Sequence, residues 1–100
     1  MLYALICEEL PGALARRLAN RPAHVARLKE LQAEGRLLLA GPHPAIDSED
    51  PGSAGFTGSL IIAEFATREA AIAWAAEDPY CLANVFSRVT VKPFKKTLPA

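Results

Sequence analysis

One histidine in the first third of the chain stands where a core residue is expected. Pro22 suits the first position of a helix, so the pattern predicts a helix over residues 22–35 that ends at a glycine. Leu28 and Leu31 follow His24 at i+4 and i+7, so the imidazole is predicted to share their inward face. A buried imidazole needs a hydrogen-bond partner or a cavity, because an unpaired buried polar group costs about 1–3 kcal/mol. With such a partner, His24 is a candidate general base.

The predicted position of His24 near the start of its helix bears on its charge. The positive end of the helix dipole disfavours imidazolium in the first turn, so His24 is expected to stay neutral near pH 7 and ready to accept a proton. A nearby carboxylate would instead favour the protonated imidazolium. A purely structural histidine, bonded to a backbone carbonyl, is an open alternative on spacing alone.

Asp78 is the acidic residue best placed to be the partner of His24. It stands directly before Pro79, and this pair of residues predicts the N-cap and first position of a short helical turn. In the ferredoxin-like fold that the order of elements predicts, this region lies beside the first helix. A carboxylate there can hold one imidazole nitrogen and leave the other free as a general base. An N-cap role alone explains Asp78 equally well, and the two roles are compatible.

Three further side chains are candidate substrate contacts. Arg21 can offer a charge-assisted hydrogen bond to an anionic group, although a solvated arginine fits the pattern as well. Phe56 and Tyr80, and with them Tyr3, can line an apolar cavity, or belong to the core as aromatic residues usually do. The predicted substrate-binding residues are therefore Arg21, Phe56 and Tyr80.

The sequence predicts no metal site and no cofactor. Cys7, Cys81, His24 and His43 do not show the spacing of metal ligands. The glycine-rich segment 52–58 lacks the Gly-Lys-Ser/Thr ending of a phosphate-binding loop and precedes a strand instead of a helix.

The elements that position these residues follow from periodicity. Apolar or alternating runs predict four strands, at residues 2–7, 36–40, 59–65 and 85–91. Helical spacing predicts a short piece over residues 13–18, the helix over residues 22–35 and a helix that begins after Thr67. The order strand, helix, strand, strand, helix, strand predicts an α+β, ferredoxin-like βαββαβ fold with an antiparallel sheet.

Two segments lie outside these elements. Residues 43–58 are rich in Pro, Gly, Ser and Asp and form a loop that is long for a small domain, so they are a candidate lid. Residues 93–100 are predicted to form a basic C-terminal tail.

The composition fits one small domain that pairs with a copy of itself. The 11 basic and 11 acidic side chains cancel, which disfavours a nucleic-acid partner. Hydrophobic residues make up 51% of the chain and two strands are apolar on both faces, so a homodimer packed through its sheet faces is predicted. No apolar run is long enough to span a membrane. No secretory signal is evident, so both cysteines are expected to be reduced and the protein cytoplasmic.

Several motifs together resemble the YciI-like (YCII-related) family over essentially the whole chain, residues 1–100, as a single domain. They are Arg21-Pro22-Ala23-His24 with Ala26-Arg27-Leu28, Glu34-Gly35-Arg36-Leu37-Leu38 with Ala40-Gly41-Pro42, Gly55-Phe56-Thr57-Gly58-Ser59, Asp78-Pro79-Tyr80, and Val91-Lys92-Pro93-Phe94-Lys95-Lys96. The resemblance implies a dimeric α+β barrel with a histidine and an aspartate at the centre of an active site, and these fall on His24 and Asp78. The wider superfamily includes isomerases and a dehydrochlorinase, which suggests acid-base chemistry on a small ring compound.

The leading hypothesis is a small dimeric enzyme in which His24 is the general base and Asp78 orients it. Its substrate is an unknown small organic molecule, and the reaction is of the isomerisation, elimination or hydrolysis type. The alternative hypothesis is a ligand-binding or regulatory module without catalysis, because a shared fold does not fix function.

Overall fold

Four strands form one antiparallel sheet in the computed structural model, which describes residues 1–100. The strands are β1 (Leu2–Glu9), β2 (Leu37–Pro44), β3 (Phe56–Glu64) and β4 (Phe86–Phe94), in the spatial order β2-β3-β1-β4. The helices are α1 (Leu14–Ala33), α2 (Arg68–Ala76) and α3 (Pro79–Leu82). This order, with β1 and β3 in the centre, is the predicted ferredoxin-like fold. None of the helices combines the length and hydropathy that crossing a membrane requires.

The core lies between the helices and one face of the sheet. Leu5 of β1 pairs with Ile61 of β3 and with Val91 of β4, so these three buried side chains form one row across the sheet. The helices pack onto this row with Leu31 from α1 and Ala71 from α2, both almost fully buried. The buried residues of α2 are the alanines Ala71 and Ala75, and α3, which follows α2, contacts α1.

The other face of the sheet carries apolar side chains that the core does not use. Ile6 and Leu60 are directly paired on β1 and β3 and are only partly buried. Leu39 on β2 is 46% exposed and belongs to the same face, since its partner Ile62 lies outside the core cluster. As predicted, the central strands are apolar on both faces.

The first helix differs from the prediction. A helix beginning at Pro22 and a separate short piece over residues 13–18 are both wrong, because α1 runs without interruption from Leu14 to Ala33 with Pro22 in its interior. Proline removes one intrahelical hydrogen bond, to the carbonyl of Leu18. Both residues are exposed, so water can bond to that carbonyl and the helix continues.

The continuous helix also corrects the expectation about the charge of His24. The helix dipole acts on the first and last turns, and His24 lies near the middle of a helix of 20 residues. The dipole therefore does not set the charge of its imidazole. The predicted inward face is confirmed, because His24 and Leu31 are both buried.

The long loop and the C-terminal tail are also shorter than predicted. β2 continues through Pro42 and Pro44, and β3 begins at Phe56, so the connection shrinks from residues 43–58 to residues 45–55. Proline is tolerated there because β2 is an edge strand, whose outward N–H groups need no partner. Pro93 is accommodated in β4, the other edge strand, in the same way, so the tail begins at residue 95.

Stability is expected to fall at alkaline pH because of Cys7 in the core. Burial, with smaller contributions from Cys81 and Asp78, raises the pKa of the Cys7 thiol from 9.0 to about 12. Below pH 9 the thiol is protonated in both states, so the free energy of unfolding keeps its full value. Above pH 9 the unfolded chain releases a proton that the folded protein retains, so the free energy of unfolding falls by about 1.4 kcal/mol per pH unit up to about pH 12.

Urea unfolding of the wild type and Cys7→Ala between pH 8 and pH 11 measures this slope. Burial also raises the pKa values of Tyr80 and Cys81, so the variant keeps part of the slope. Equal slopes in the two proteins would show that Cys7 is not responsible.

Candidate active site

His24 and Asp78 are in direct contact beneath the surface. The distance between His24 Nδ1 and Asp78 Oδ2 is 2.7 Å, and the two residues are only 6% and 2% exposed. His24 reaches this point from the inner face of α1, and Asp78 from the residue that precedes α3. The structure thus brings together the two residues that the sequence analysis selected, although 54 positions separate them in the chain.

The carboxylate of Asp78 accepts three hydrogen bonds. Besides the imidazole, Arg27 Nη1 donates to Oδ1 at 3.0 Å and the Tyr80 backbone N–H donates to Oδ2 at 2.9 Å. The last contact is the predicted N-cap of α3. An ionised carboxylate only accepts, so the network assigns a proton to His24 Nδ1, and in the neutral ring Nε2 carries the lone pair.

His24 Nε2 has no hydrogen-bond partner and yet is not sealed in the protein. The Tyr80 hydroxyl is the only fully buried side-chain polar atom in the chain that lacks a partner. Since Nε2 also lacks a partner, it is not fully buried and keeps some solvent-accessible surface. His24 lines a small cavity. An imidazole held at Nδ1 and open at Nε2 can take a proton from a molecule in that cavity.

Two aromatic rings fix the plane of the imidazole. Tyr80 stacks on His24, with ring centroids 3.9 Å apart and an angle of 14° between the planes. Phe86 meets both rings edge-on, with centroid distances of 5.3 Å to Tyr80 and 6.4 Å to His24. This packing leaves the imidazole little freedom to turn away from Asp78.

The cavity beside Nε2 has a volume of about 130 Å³. Its wall is formed by residues of α1, by residues 40–42 of β2, by residues 59 and 61 of β3 and by Tyr80. The polar lining residues are Arg17, Arg21, His24, Ser59 and Tyr80. Asp78 is not in the wall, because it lies behind the imidazole.

Arg17 is a cavity residue that the sequence analysis missed. It is 5% exposed, its Nε donates to Glu9 Oε1 at 2.8 Å, and its Nη2 donates to the Gly58 carbonyl at 3.2 Å and to Ser59 Oγ at 2.8 Å. Arg17 lies seven residues before His24, two turns along the same face of one helix. The spacing of seven residues places Arg17 and His24 on one helix face, but a helix predicted to begin at Pro22 did not include Arg17.

The structure distributes the predicted substrate-binding residues unequally. Arg21 and Tyr80 line the cavity with His24, and Arg21 is exposed and makes no hydrogen bond or salt bridge within the chain. Phe56 lies on the other side of Arg17, with the guanidinium carbon 4.8 Å from its ring centre, and lines a different surface depression. No residue of segment 43–58 lines the cavity, so a lid role for it stays a prediction.

The surroundings of Tyr80 keep its hydroxyl protonated. Burial raises the pKa of Tyr80 above 10.0, and the nearby Arg17 and Arg21 guanidinium groups offset only part of this effect. At neutral pH the hydroxyl is therefore a hydrogen-bond donor. No three His, Cys, Asp or Glu side chains come together as a metal site would require.

The sequence matches a known family model almost from end to end. The model is that of the YCII-related domain, and it matches residues 1–95. The chain belongs to the YCII-related family. The chain is also 59% identical to protein YciI of Escherichia coli over 96 residues, which are 96% of this chain and 98% of that protein. An uncharacterized protein of Haemophilus influenzae is 57% identical over 96 residues, which are 96% of this chain and 98% of that protein.

A solved structure supports the same family fold. The 5-chloro-2-hydroxyhydroquinone dehydrochlorinase of Burkholderia phenoliruptrix, in complex with 2,5-dihydroxybenzoquinone, superposes with a TM-score of 0.84 at 27% identity. The match covers 97% of this chain and 96% of that chain. The YCII-related chain therefore has the ferredoxin-like fold of the dimeric α+β barrel proteins, as its motifs predicted.

Proposed function

We propose that this YCII-family protein is an acid-base enzyme in which His24 takes a proton from a small organic substrate and Asp78 orients the imidazole. One observation carries the proposal. The Nδ1 atom of His24 is held 2.7 Å from a buried carboxylate, while Nε2 has no partner and opens to a cavity. A histidine that only stabilised the fold would not need a free nitrogen beside a cavity.

The proton transfer follows from this geometry. A C–H or O–H bond of the substrate breaks, its proton forms an N–H bond at Nε2, and the electron pair remains on the substrate. The imidazolium that results is stabilised by Asp78, which accepts the hydrogen bond from Nδ1 throughout. Arg27 holds the second oxygen of Asp78, so the carboxylate cannot rotate out of line.

The structural match supports this class of chemistry. Loss of hydrogen chloride from a chlorinated hydroxyhydroquinone needs a base that removes a proton while chloride leaves with the electron pair of the C–Cl bond. The relative with that activity shares the fold over nearly the whole chain. We therefore propose isomerisation or elimination reactions on small ring compounds, with the relative's substrate as the first compound to test.

We expect His24→Gln to lower the rate of chloride release from 5-chloro-2-hydroxyhydroquinone by about 100-fold to 10,000-fold, because a positioned general base contributes that much. A chloride electrode, corrected for release without protein, measures the rate. His43→Gln is the matched control, because His43 is the other histidine and lies outside the cavity. Equal rates for His24→Gln and the wild type would refute the role of His24.

The same experiment separates an enzyme from a binding module. If calorimetry shows that the wild type binds the compound but no chloride appears, the acid-base proposal fails for this substrate class. Binding that is also unchanged in His24→Gln would then favour a ligand-binding function.

We also propose that two copies pair through the open faces of their sheets. The apolar side chains of Ile6, Leu60 and Leu39 on that face would gain a cover. Sedimentation is expected to show twice the mass of one chain, and Leu39→Lys is expected to yield monomers. Leu82→Lys is the control, since Leu82 is 72% exposed on α3, away from the sheet. A wild type that sediments as a monomer would refute the pairing.

A further inference from the structure

The hydroxyl of Tyr80 is buried without a hydrogen-bond partner. The residue is 0% exposed, and its ring packs between His24 and the guanidinium of Arg17. The Arg17 guanidinium, which can only donate, lies close enough to hydrogen-bond to the Tyr80 oxygen, but the O–H proton has no acceptor within the chain. A buried polar atom without a partner is rare in folded proteins and calls for an explanation.

Tyr80 lines the cavity together with Arg17 and Arg21. The two cations that act most strongly on its hydroxyl, Arg17 and Arg21, are both cavity residues. The guanidinium carbon of Arg17 is 4.8 Å from the ring centre of Tyr80. The hydroxyl is therefore buried in the wall of the cavity, beside the two arginines.

Hydrogen-bond donors outnumber acceptors in this space. Arg17 uses Nε and Nη2 for Glu9, Gly58 and Ser59, which leaves Nη1 without a partner but not sealed. Arg21 and the Tyr80 hydroxyl are also unpaired donors, and His24 Nε2 is the unpaired acceptor. Glu9 is bonded to Arg17 and balances its charge, so the positive charge of Arg21 is left for a ligand.

We propose that Tyr80 and Arg17 form an oxyanion-binding site for a planar, phenolate-type or enolate-type oxygen of a compound no larger than a single ring. Both donors would bind the anionic oxygen, and Arg21 at the cavity mouth would add charge attraction. The inference rests on the proposed function, because it names the substrate class for the cavity that His24 serves.

The size of the cavity sets the limit on the ligand. An apolar cavity of roughly 150 Å³ is known to accommodate benzene, and this cavity measures about 130 Å³. The apolar part of the wall, with Val25, Leu28 and Ile61, would contact the ring edge, while the donors lie together around Tyr80. Bicyclic compounds are therefore expected to bind more weakly than single rings.

The test uses 4-nitrophenol as the probe, because its visible absorption distinguishes phenolate from neutral phenol. Added wild-type protein is expected to increase the phenolate band at a pH where both forms are present in solution. Tyr80→Phe is expected to weaken phenolate binding by about tenfold to a hundredfold, the contribution of one hydrogen bond to a charged group. Tyr3→Phe is the matched control, since Tyr3 is the other tyrosine and lies outside the cavity.

Thermal unfolding distinguishes a binding role from a structural one. Because the buried O–H proton has no acceptor, Tyr80→Phe is expected to have the same Tm as the wild type or a higher one. A lower Tm, a probe bound as neutral phenol, no binding to the wild type, or equal phenolate binding by Tyr80→Phe would each overturn the oxyanion site. Nitrobenzene, which lacks the oxyanion, is expected not to compete, and this measurement needs no variant.

The two proposals can fail separately. If phenolate binding depends on Tyr80 but His24→Gln keeps the rate of chloride release, the oxyanion site stands and the acid-base role of His24 fails. If the rate depends on His24 while Tyr80→Phe binds phenolate unchanged, only the oxyanion site is refuted.

Discussion

Asp78→Ala is expected to lower the free energy of unfolding by about 3–5 kcal/mol, the usual cost of removing one partner from a buried charged network. The substitution leaves three donors without their acceptor: the Nδ1–H group of His24, Nη1 of Arg27 and the Tyr80 backbone N–H. The Arg27 side chain is 20% exposed, so water takes over part of its loss and the effect belongs to the lower part of this range. Urea unfolding at pH 7 measures the change.

Two variants show which property of Asp78 is responsible. Asp78→Asn keeps an acceptor for the N-cap and a side chain of the same size, so it is expected to cost less than Asp78→Ala. Asp47→Ala removes a carboxylate from the exposed loop and is expected to change the free energy of unfolding by no more than about 0.5 kcal/mol. A loss below about 1 kcal/mol for Asp78→Ala would show that the three donors find water instead.

The contact between His24 and Asp78 was predictable because two strong local signals point to the same place. Helical spacing puts His24 on the inner face of α1, and the order of elements puts the start of α3 beside that helix. Neither signal depends on side-chain detail. The pair could therefore be named from the sequence, whereas the third member of the network could not.

Arg27 shows why side-chain networks escape prediction. It lies three residues after His24, so the two are neighbours on the surface of α1. Its guanidinium reaches Asp78 because Nη2 is held by the Trp74 carbonyl at 2.9 Å and the Trp74 ring lies 4.2 Å from the guanidinium carbon. That support comes from the end of α2, and no spacing within α1 reveals it.

Three of the errors in element boundaries have one physical origin. A proline is taken as the boundary of an element at Pro22, Pro42 and Pro93, and at each position the element continues through it. In each case the proline stands where a missing N–H costs little, on the exposed side of a helix or on an edge strand. Exposure is a property of the fold, so a local rule about proline could not anticipate it.

Arg17 connects the cavity to the sheet. Its three hydrogen bonds join α1 to the end of β1 through Glu9 and to the start of β3 through Gly58 and Ser59. The position of its guanidinium therefore depends on how closely β1 and β3 approach at Gly58, which pairs with Glu8. The backbone of this strand pair contributes to the shape of the cavity.

We expect Gly58→Ala to lower the free energy of unfolding by about 3 kcal/mol or more, because a Cβ atom has no room there. A Cβ at this position would lie 2.0 Å from the carbonyl oxygen of Cys7 and 3.1 Å from its carbonyl carbon. Both are backbone atoms of the central strand β1, so no side-chain movement relieves the clash. The strands must separate, which also displaces the Gly58 carbonyl from Arg17.

Gly41→Ala is the matched control. Gly41 is on β2, its strand pairs with β3, and a Cβ there meets no atom within 4 Å. Urea unfolding is therefore expected to show a change of no more than about 0.5 kcal/mol for Gly41→Ala. If Gly58→Ala behaved like Gly41→Ala, the contact between β1 and β3 would have to be looser than the structure shows. Arg17 would then lose the fixed backbone acceptor that holds its guanidinium beside Tyr80.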